Sequence, residues 1–191
     1  MTNLTRIAAD TALVLIDLQQ GIAAMPVQPH SAESVVGNAV KLVARFRQLG
    51  APIILVNVAF PLGPAALRPD ADAVMNLPAT MPAGWDQIVP ELTPAADDIL
   101  VTKRQWGAFY GTGLDMQLRR RGIKTIVLAG IATNIGVEST ARDAYERGYH
   151  QVIVEDACSA MSADMHEFAF TKIFPRLAKV RKTAEVLLAL A

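Results

Sequence analysis

The sequence predicts an α/β fold built on a parallel sheet of six strands, and three observations carry that expectation. The short apolar runs are unbroken rather than alternating, which suits strands buried on both faces. Longer stretches of helical period separate them, the pattern of βαβ units joined by right-handed crossovers. The composition agrees: 52% of the 191 residues are hydrophobic but only 6% are aromatic, as in aliphatic-rich parallel sheets.

The first run, Ala12-Leu13-Val14-Leu15-Ile16, reads as a strand that ends at Asp17. A helix is predicted over residues 31–49, with Val35, Val36, Ala39, Val40, Val43 and Phe46 on its apolar face. Ser31 is its candidate N-cap and Gly50 its stop. Residues 53–58 and 99–102 give the second and third strands, the latter ending at Lys103. A helix over 114–121 stops at Gly122, and residues 125–129 form the fourth strand. A helix over 135–147 closes at Gly148, and the fifth strand covers 151–155. A helix over 164–174 is expected to end near Pro175, followed by a short strand near 177–180 and a last helix near 184–190. Residues 59–98 break the alternation. Pro61, Pro64, Pro69, Pro78, Pro82, Pro90 and Pro94 exclude a long helix or a central strand there. An ordered loop of that length usually covers a site or makes an interface. One domain over residues 1–191 is expected.

Several classes of function are disfavoured. The formal net charge is zero and no basic stripe is present, so nucleic acid is not an expected partner. Apolar runs are too short to span a bilayer, and the first ten residues show no apolar leader core. One cysteine, Cys158, permits no intrachain disulfide, which points to the reducing cytoplasm. His30, His150 and His166 are scattered without metal-ligand spacing, so neither a metal nor another cofactor is expected.

Sites in parallel sheets lie at the carboxyl ends of strands. That rule singles out Asp17, Lys103 and the turn after Ala129. A carboxylate directly after an apolar run is costly to bury without a partner, and the Lys103 ammonium is one. The plain alternative is that Asp17 caps a turn and Lys103 is solvated. Residues 130–144, Gly-Ile-Ala-Thr-Asn-Ile-Gly-Val-Glu-Ser-Thr-Ala-Arg-Asp-Ala, run from the fourth strand into a helix. The free N–H groups of its first turn suit an oxyanion or carboxylate. An ordinary strand-to-helix turn is the alternative.

With these motifs in place, the chain resembles the isochorismatase-like, or cysteine hydrolase, superfamily from about Thr11 onward. The resemblance rests on Ile16-Asp17-Leu18-Gln19, on the Lys103 strand end, and on the 130–144 segment. It implies a three-layer α/β/α fold with a six-stranded parallel sheet in Rossmann-type order. It implies that Asp17 and Lys103 belong to a catalytic triad with a cysteine. It also implies a cis peptide bond at Ile131–Ala132, and an oxyanion hole from the N–H groups of Ala132 and the nucleophile position. That position falls at Gly136, which has no side chain. Cys158 lies after the fifth strand and reads as a small buried residue. Ser139 and Thr140 read as packing residues rather than substitute nucleophiles. Gln19, Phe60, Trp106, Phe109 and Thr133 are the candidate substrate-pocket residues, with packing as the alternative for Trp106 and Phe109.

True isochorismatases also lack the cysteine. They cleave a vinyl ether by protonating its carbon from the aspartate. Their turn, however, has Tyr-Ala-His where this chain has Ala132-Thr133-Asn134, which resembles amidase-type members. Nicotinamidase-type members hold a metal through an Asp-x-His cluster that this sequence lacks. Three readings follow. The first is a hydrolase acting without a covalent thiol on a small carboxylate substrate, with Asp17 as general acid or base and Lys103 as its electrostatic partner. The second is an amidohydrolase with another nucleophile. The third is a non-catalytic relative that binds a small anion or a partner. The resemblance also implies a homodimer or homotetramer.

Overall fold

The computed structural model describes residues 10–61, 66–67, 69–73, 78 and 80–190. The reading of residues 1–9 as carrying no leader, and Pro64, lie outside them. Six parallel strands form one sheet in the order β3-β2-β1-β4-β5-β6. They are β1 (Thr11–Ile16), β2 (Ile53–Val58), β3 (Ile99–Lys103), β4 (Thr125–Ile131), β5 (His150–Ser159) and β6 (Lys179–Arg181). The chain winds outward from β1 to β3, then returns to β4 on the other side of β1. This reversal opens a crevice at the carboxyl ends of β1 and β4, where Asp17 and the 130–144 segment lie. All six residues of β1 are buried, as the unbroken apolar run requires.

Helices cover the sheet. They are α1 (Gln20–Ala23), α2 (Ala32–Gln48), α3 (Leu114–Arg120), α4 (Glu138–Glu146), α5 (Ala163–Phe168), α6 (Phe174–Leu177) and α7 (Thr183–Ala189). The buried stripe of α2 is Val35, Val36, Ala39, Leu42, Val43 and Phe46. Its N-cap is Ser31, whose hydroxyl oxygen accepts the Ser34 N–H at 3.2 Å. Right-handed crossovers on either side of the reversal put α2 and α4 on opposite faces. Among the described residues, no helix is long and apolar enough to cross a membrane.

Four elements depart from the sequence reading. A short α1 follows β1 where none was expected. The fifth strand does not stop at Glu155 but runs on to Ser159. A register shift between Leu128 and Gly130 keeps it paired with β4. Its two acidic residues are tolerated because both have partners. Asp156 accepts the Thr183 N–H and hydroxyl, each at 2.7 Å, and Glu155 meets two histidines. The last strand falls at Lys179–Arg181, slightly later than expected. Pro175 does not end the preceding helix. A π-turn over Ala169–Ile173 intervenes, and Pro175 sits in the first turn of α6, where its missing N–H removes no needed bond.

Candidate active site

Asp17 stands immediately beyond β1 with φ of 52°, a left-handed conformation that non-glycine residues seldom adopt. Residues held there cluster at functional sites. The turn projects its carboxylate into the crevice, where the residue remains only 4% exposed. Lys103 reaches the same point from the end of β3, two strands away, and is 2% exposed. Its Nζ lies 2.7 Å from Asp17 Oδ2 and donates to the Gln105 carbonyl at 3.2 Å. The solvated alternative for these two residues is thereby excluded. Burial pushes the Asp17 carboxyl up to about 6, and the Lys103 charge and hydrogen bond only partly offset this. Asp17 Oδ1 is buried and has no hydrogen-bond partner among the described residues.

The third component is the turn after β4. Gly130 has φ of 135°, and a Cβ there would lie 2.0 Å from the Ile16 carbonyl oxygen. Only glycine lets β4 pass this close to the end of β1. The Ile131–Ala132 peptide bond is cis, as the resemblance implies. A π-turn over Thr133–Val137 then feeds α4, with the Val137 N–H bonded to the Ala132 carbonyl at 3.2 Å. π-turns inside helices often mark functional sites. This one brings Gly136 against the ion pair: a Cβ at Gly136 would stand 3.0 Å from Asp17 Oδ2 and 3.6 Å from Lys103 Nζ. Ala132 and Gly136 are both buried. Thr140 holds this turn in place. Its hydroxyl donates to the Gly136 carbonyl at 2.7 Å and accepts the Ala108 N–H at 3.1 Å. Both capacities of the hydroxyl serve the framework.

The pocket candidates separate into groups. Thr133 is buried beside the cis bond, with its hydroxyl 2.9 Å from His166 Nδ1. The side-chain amide of Gln19 is fully buried and occupied. Oε1 accepts the Val58 N–H at 2.8 Å, and Nε2 donates to the Val58 and Trp85 carbonyls, each at 3.1 Å. It acts as a brace between β2 and residues 80–90. Phe60 lies half-buried with its ring 5.8 Å from that of Trp85. Trp106 is 55% exposed. Phe109 is buried against Tyr149, ring centroids 5.8 Å apart, which is a packing role. Cys158 is fully buried within β5, and burial pushes its thiol far up.

Two groups of residues are missed by the sequence reading. Part of the proline-rich segment folds over the carboxyl ends of β1 and β2. Gln19 and Ile88 form an antiparallel bridge, and the Gly21 N–H bonds the Trp85 carbonyl at 2.9 Å. A Cβ at Gly21 would strike the Trp85 ring at 2.0 Å, so glycine is what lets the indole lie on α1. The sequence offers only the proline density as a signal. The second group corrects the reading of the histidines as scattered. His30 Nε2 and His166 Nε2 both meet Glu155 Oε1, at 2.8 and 3.2 Å. Burial alone would raise the Glu155 carboxyl, but the two histidines more than reverse this and lower it.

A Rossmann-order sheet that presents a buried acid–lysine pair and a tight helix N-terminus at its reversal point defines a class of α/β hydrolases. Comparison with known proteins makes this specific, and the chain belongs to the isochorismatase family of hydrolases, whose Isochorismatase domain model matches residues 11–185. It is 53% identical over 185 residues to the uncharacterized isochorismatase family protein YecD of Escherichia coli O157:H7, covering 96% of this chain and 97% of that one. The structure of an isochorismatase family protein from Burkholderia thailandensis superposes with a TM-score of 0.92 at 48% identity, covering 97% of this chain and 98% of that one. The N-carbamoylsarcosine amidase of Thermoplasma acidophilum superposes with a TM-score of 0.74 at 30% identity, covering 91% and 96%.

Proposed function

We propose that this chain hydrolyses a small carboxylate-bearing substrate without forming a covalent thiol intermediate, with Asp17 as the proton-transferring group and Lys103 as its electrostatic partner. The observation that carries the reading is the surroundings of Gly136. A side chain there would point at Asp17 Oδ2 and Lys103 Nζ, at 3.0 and 3.6 Å from its Cβ. The position that the family resemblance gives to a nucleophile therefore adjoins the acid–lysine pair and supplies no nucleophile. What is left is a buried carboxyl raised to about 6, with one oxygen unpartnered among the described residues.

A carboxyl of this kind serves as a general acid near neutral pH. In a vinyl ether substrate it protonates the vinyl carbon, and water adds to the resulting oxocarbenium ion. The carbon–oxygen bond then breaks to give a ketone and an alcohol. Lys103 and the N–H groups at the start of the helical run attract the substrate's carboxylate. The direct test is pyruvate release from isochorismate by the purified protein. Asp17→Ala is expected to lower turnover on the order of 10²–10⁴-fold while leaving the circular dichroism spectrum unchanged. Absence of release from the unmodified chain rejects isochorismate as substrate.

A second reading, amide hydrolysis by water, has its own support. The chain is 30% identical to a structurally similar amidase, and the Asn134 side-chain oxygen is buried without a partner among the described residues, suited to a substrate N–H. Here Asp17 removes a proton from water. The two readings predict opposite pH profiles. As the acid, Asp17 acts protonated and kcat/KM falls as pH rises through about 6; as the base it acts ionised and kcat/KM rises through about 6.

A further inference from the structure

His30, Glu155 and His166 come from three separate parts of the chain. His30 follows a cis Gln28–Pro29 bond just before α2, Glu155 lies midway along β5, and His166 lies in α5. Each contributes one donor atom to the cluster, and these atoms all lie within 4.8 Å of one another. We propose that the three residues form a binding site for a zinc-class divalent cation, independent of the acid–lysine pair and of the activity assigned to it.

Four features of the geometry support the site. The first is the donor set. Two imidazoles and one carboxylate suit zinc and its neighbours rather than magnesium or calcium, which take oxygen ligands. The second is spacing. Metal–ligand bonds of about 2.0–2.2 Å in a tetrahedral site place ligand atoms about 3.3 Å apart. Glu155 Oε1 already stands 2.8 Å from His30 Nε2 and 3.2 Å from His166 Nε2, so ligation needs side-chain adjustments of a few tenths of an ångström on these two edges. The third is the support behind the ligands. His166 Nδ1 lies 2.9 Å from the Thr133 hydroxyl. Donation of Nδ1–H to that oxygen leaves the Nε2 lone pair free for a metal, the outer arrangement typical of metal-bound histidine. The fourth is access. The His166 side chain is 4% exposed, but those of His30 and Glu155 are 29% and 23% exposed. An ion therefore has an entry route and a solvent-facing position for a fourth ligand.

An ion here would tie the segment before α2, β5 and α5 together, one hydrogen bond away from the turn that follows the cis bond. Its effect is first on the rigidity of that corner. Any effect on turnover runs through Thr133 and is secondary.

The experiment is a titration of tag-free, chelator-treated full-length protein with cobalt(II), read by its visible absorption, followed by competition with zinc. One strong site per chain is expected, displaced by zinc and not by magnesium. His30→Ala and Glu155→Gln are each expected to weaken binding at least tenfold, and His150→Ala, at an exposed position, to leave it unchanged. Zinc should raise the thermal unfolding midpoint of the unmodified chain and of His150→Ala only. Because His30 lies in a partly exposed loop, its alanine variant tests the site even if Glu155→Gln folds poorly. Absence of stoichiometric cobalt binding, or binding equal in all variants, overturns the proposal and leaves a protein-only hydrogen-bond cluster. Neither result bears on the Asp17 assays.

Discussion

Asp17, just beyond β1, is almost fully buried and Glu155, on β5, is partly exposed, and their surroundings push the two carboxyls in opposite directions. Among the described residues Asp17 has one cation and one unpartnered oxygen, and burial raises it to about 6. Glu155 is also penalised by burial, but two histidines share its oxygen and hold it below its ordinary value. Burial acts on both carboxyls in the same direction, and their partners decide which way each one moves. Asp17 retains capacity for a proton or a ligand, whereas Glu155 is committed as an anion.

The strongest way to break this comparison is to remove the cation from the first site. Lys103→Met is expected to destabilise the chain by about 3–5 kcal/mol if Asp17 stays charged. The alternative response is for Asp17 to take up a proton and rise well above 6. Denaturant unfolding at pH 5 and pH 8 checks this: the loss should be larger at pH 8. A smaller effect comes from restoring a side chain. Gly136→Cys places a thiol next to Lys103, with its Cβ 3.0 Å from both Asp17 Oδ2 and Ile16 Cγ2, so these neighbours must give by a few tenths of an ångström. Alkylation at pH 7 is expected to be on the order of tenfold faster than for free cysteine, while buried Cys158 stays unlabelled in the native chain. Reaction no faster than free cysteine would contradict the geometry drawn around Gly136.

The gentlest test is the pH dependence of stability. Between 3.8 and about 6 the folded chain holds the Asp17 proton more tightly than the unfolded chain does. The stability contributed by Asp17 is therefore full at low pH and declines as pH rises through that window. Glu155 behaves the other way. Its contribution is present above 4.5 and is lost as pH falls through its lowered folded value. Asp17→Asn should flatten the decline between pH 4 and 6, and Glu155→Gln should flatten the acid-side loss. Curves of unchanged shape in both variants would mean that neither carboxyl is coupled to folding as described.

The first site was legible in the sequence because each of its parts ends an apolar strand. A charge placed directly after Ala12-Leu13-Val14-Leu15-Ile16 advertises a buried partner, and β3 has one ready in Lys103. The sheet, most of the helices and the Ser31 cap follow from period and punctuation. The histidine cluster was not legible, because its members come from three elements separated by up to 136 positions and no local pattern joins them. The extension of β5 was hidden for a related reason: two acidic residues read as a strand end, and only tertiary partners make them tolerable. The bracing role of Gln19 was not legible either, because the bonds of its amide to Val58 and to the Trp85 carbonyl are made only in the folded chain.

That amide has a further consequence. With Oε1 on the Val58 N–H and Nε2 on the Val58 carbonyl, one side chain makes the reciprocal pair of bonds that a residue of an antiparallel neighbour would make. The same Nε2 holds Trp85. The Val58 amide proton is thus a built-in exchange reporter: its hydrogen–deuterium exchange rate follows Gln19 letting go, and with it the release of the Trp85 segment, rather than the opening of β2 itself.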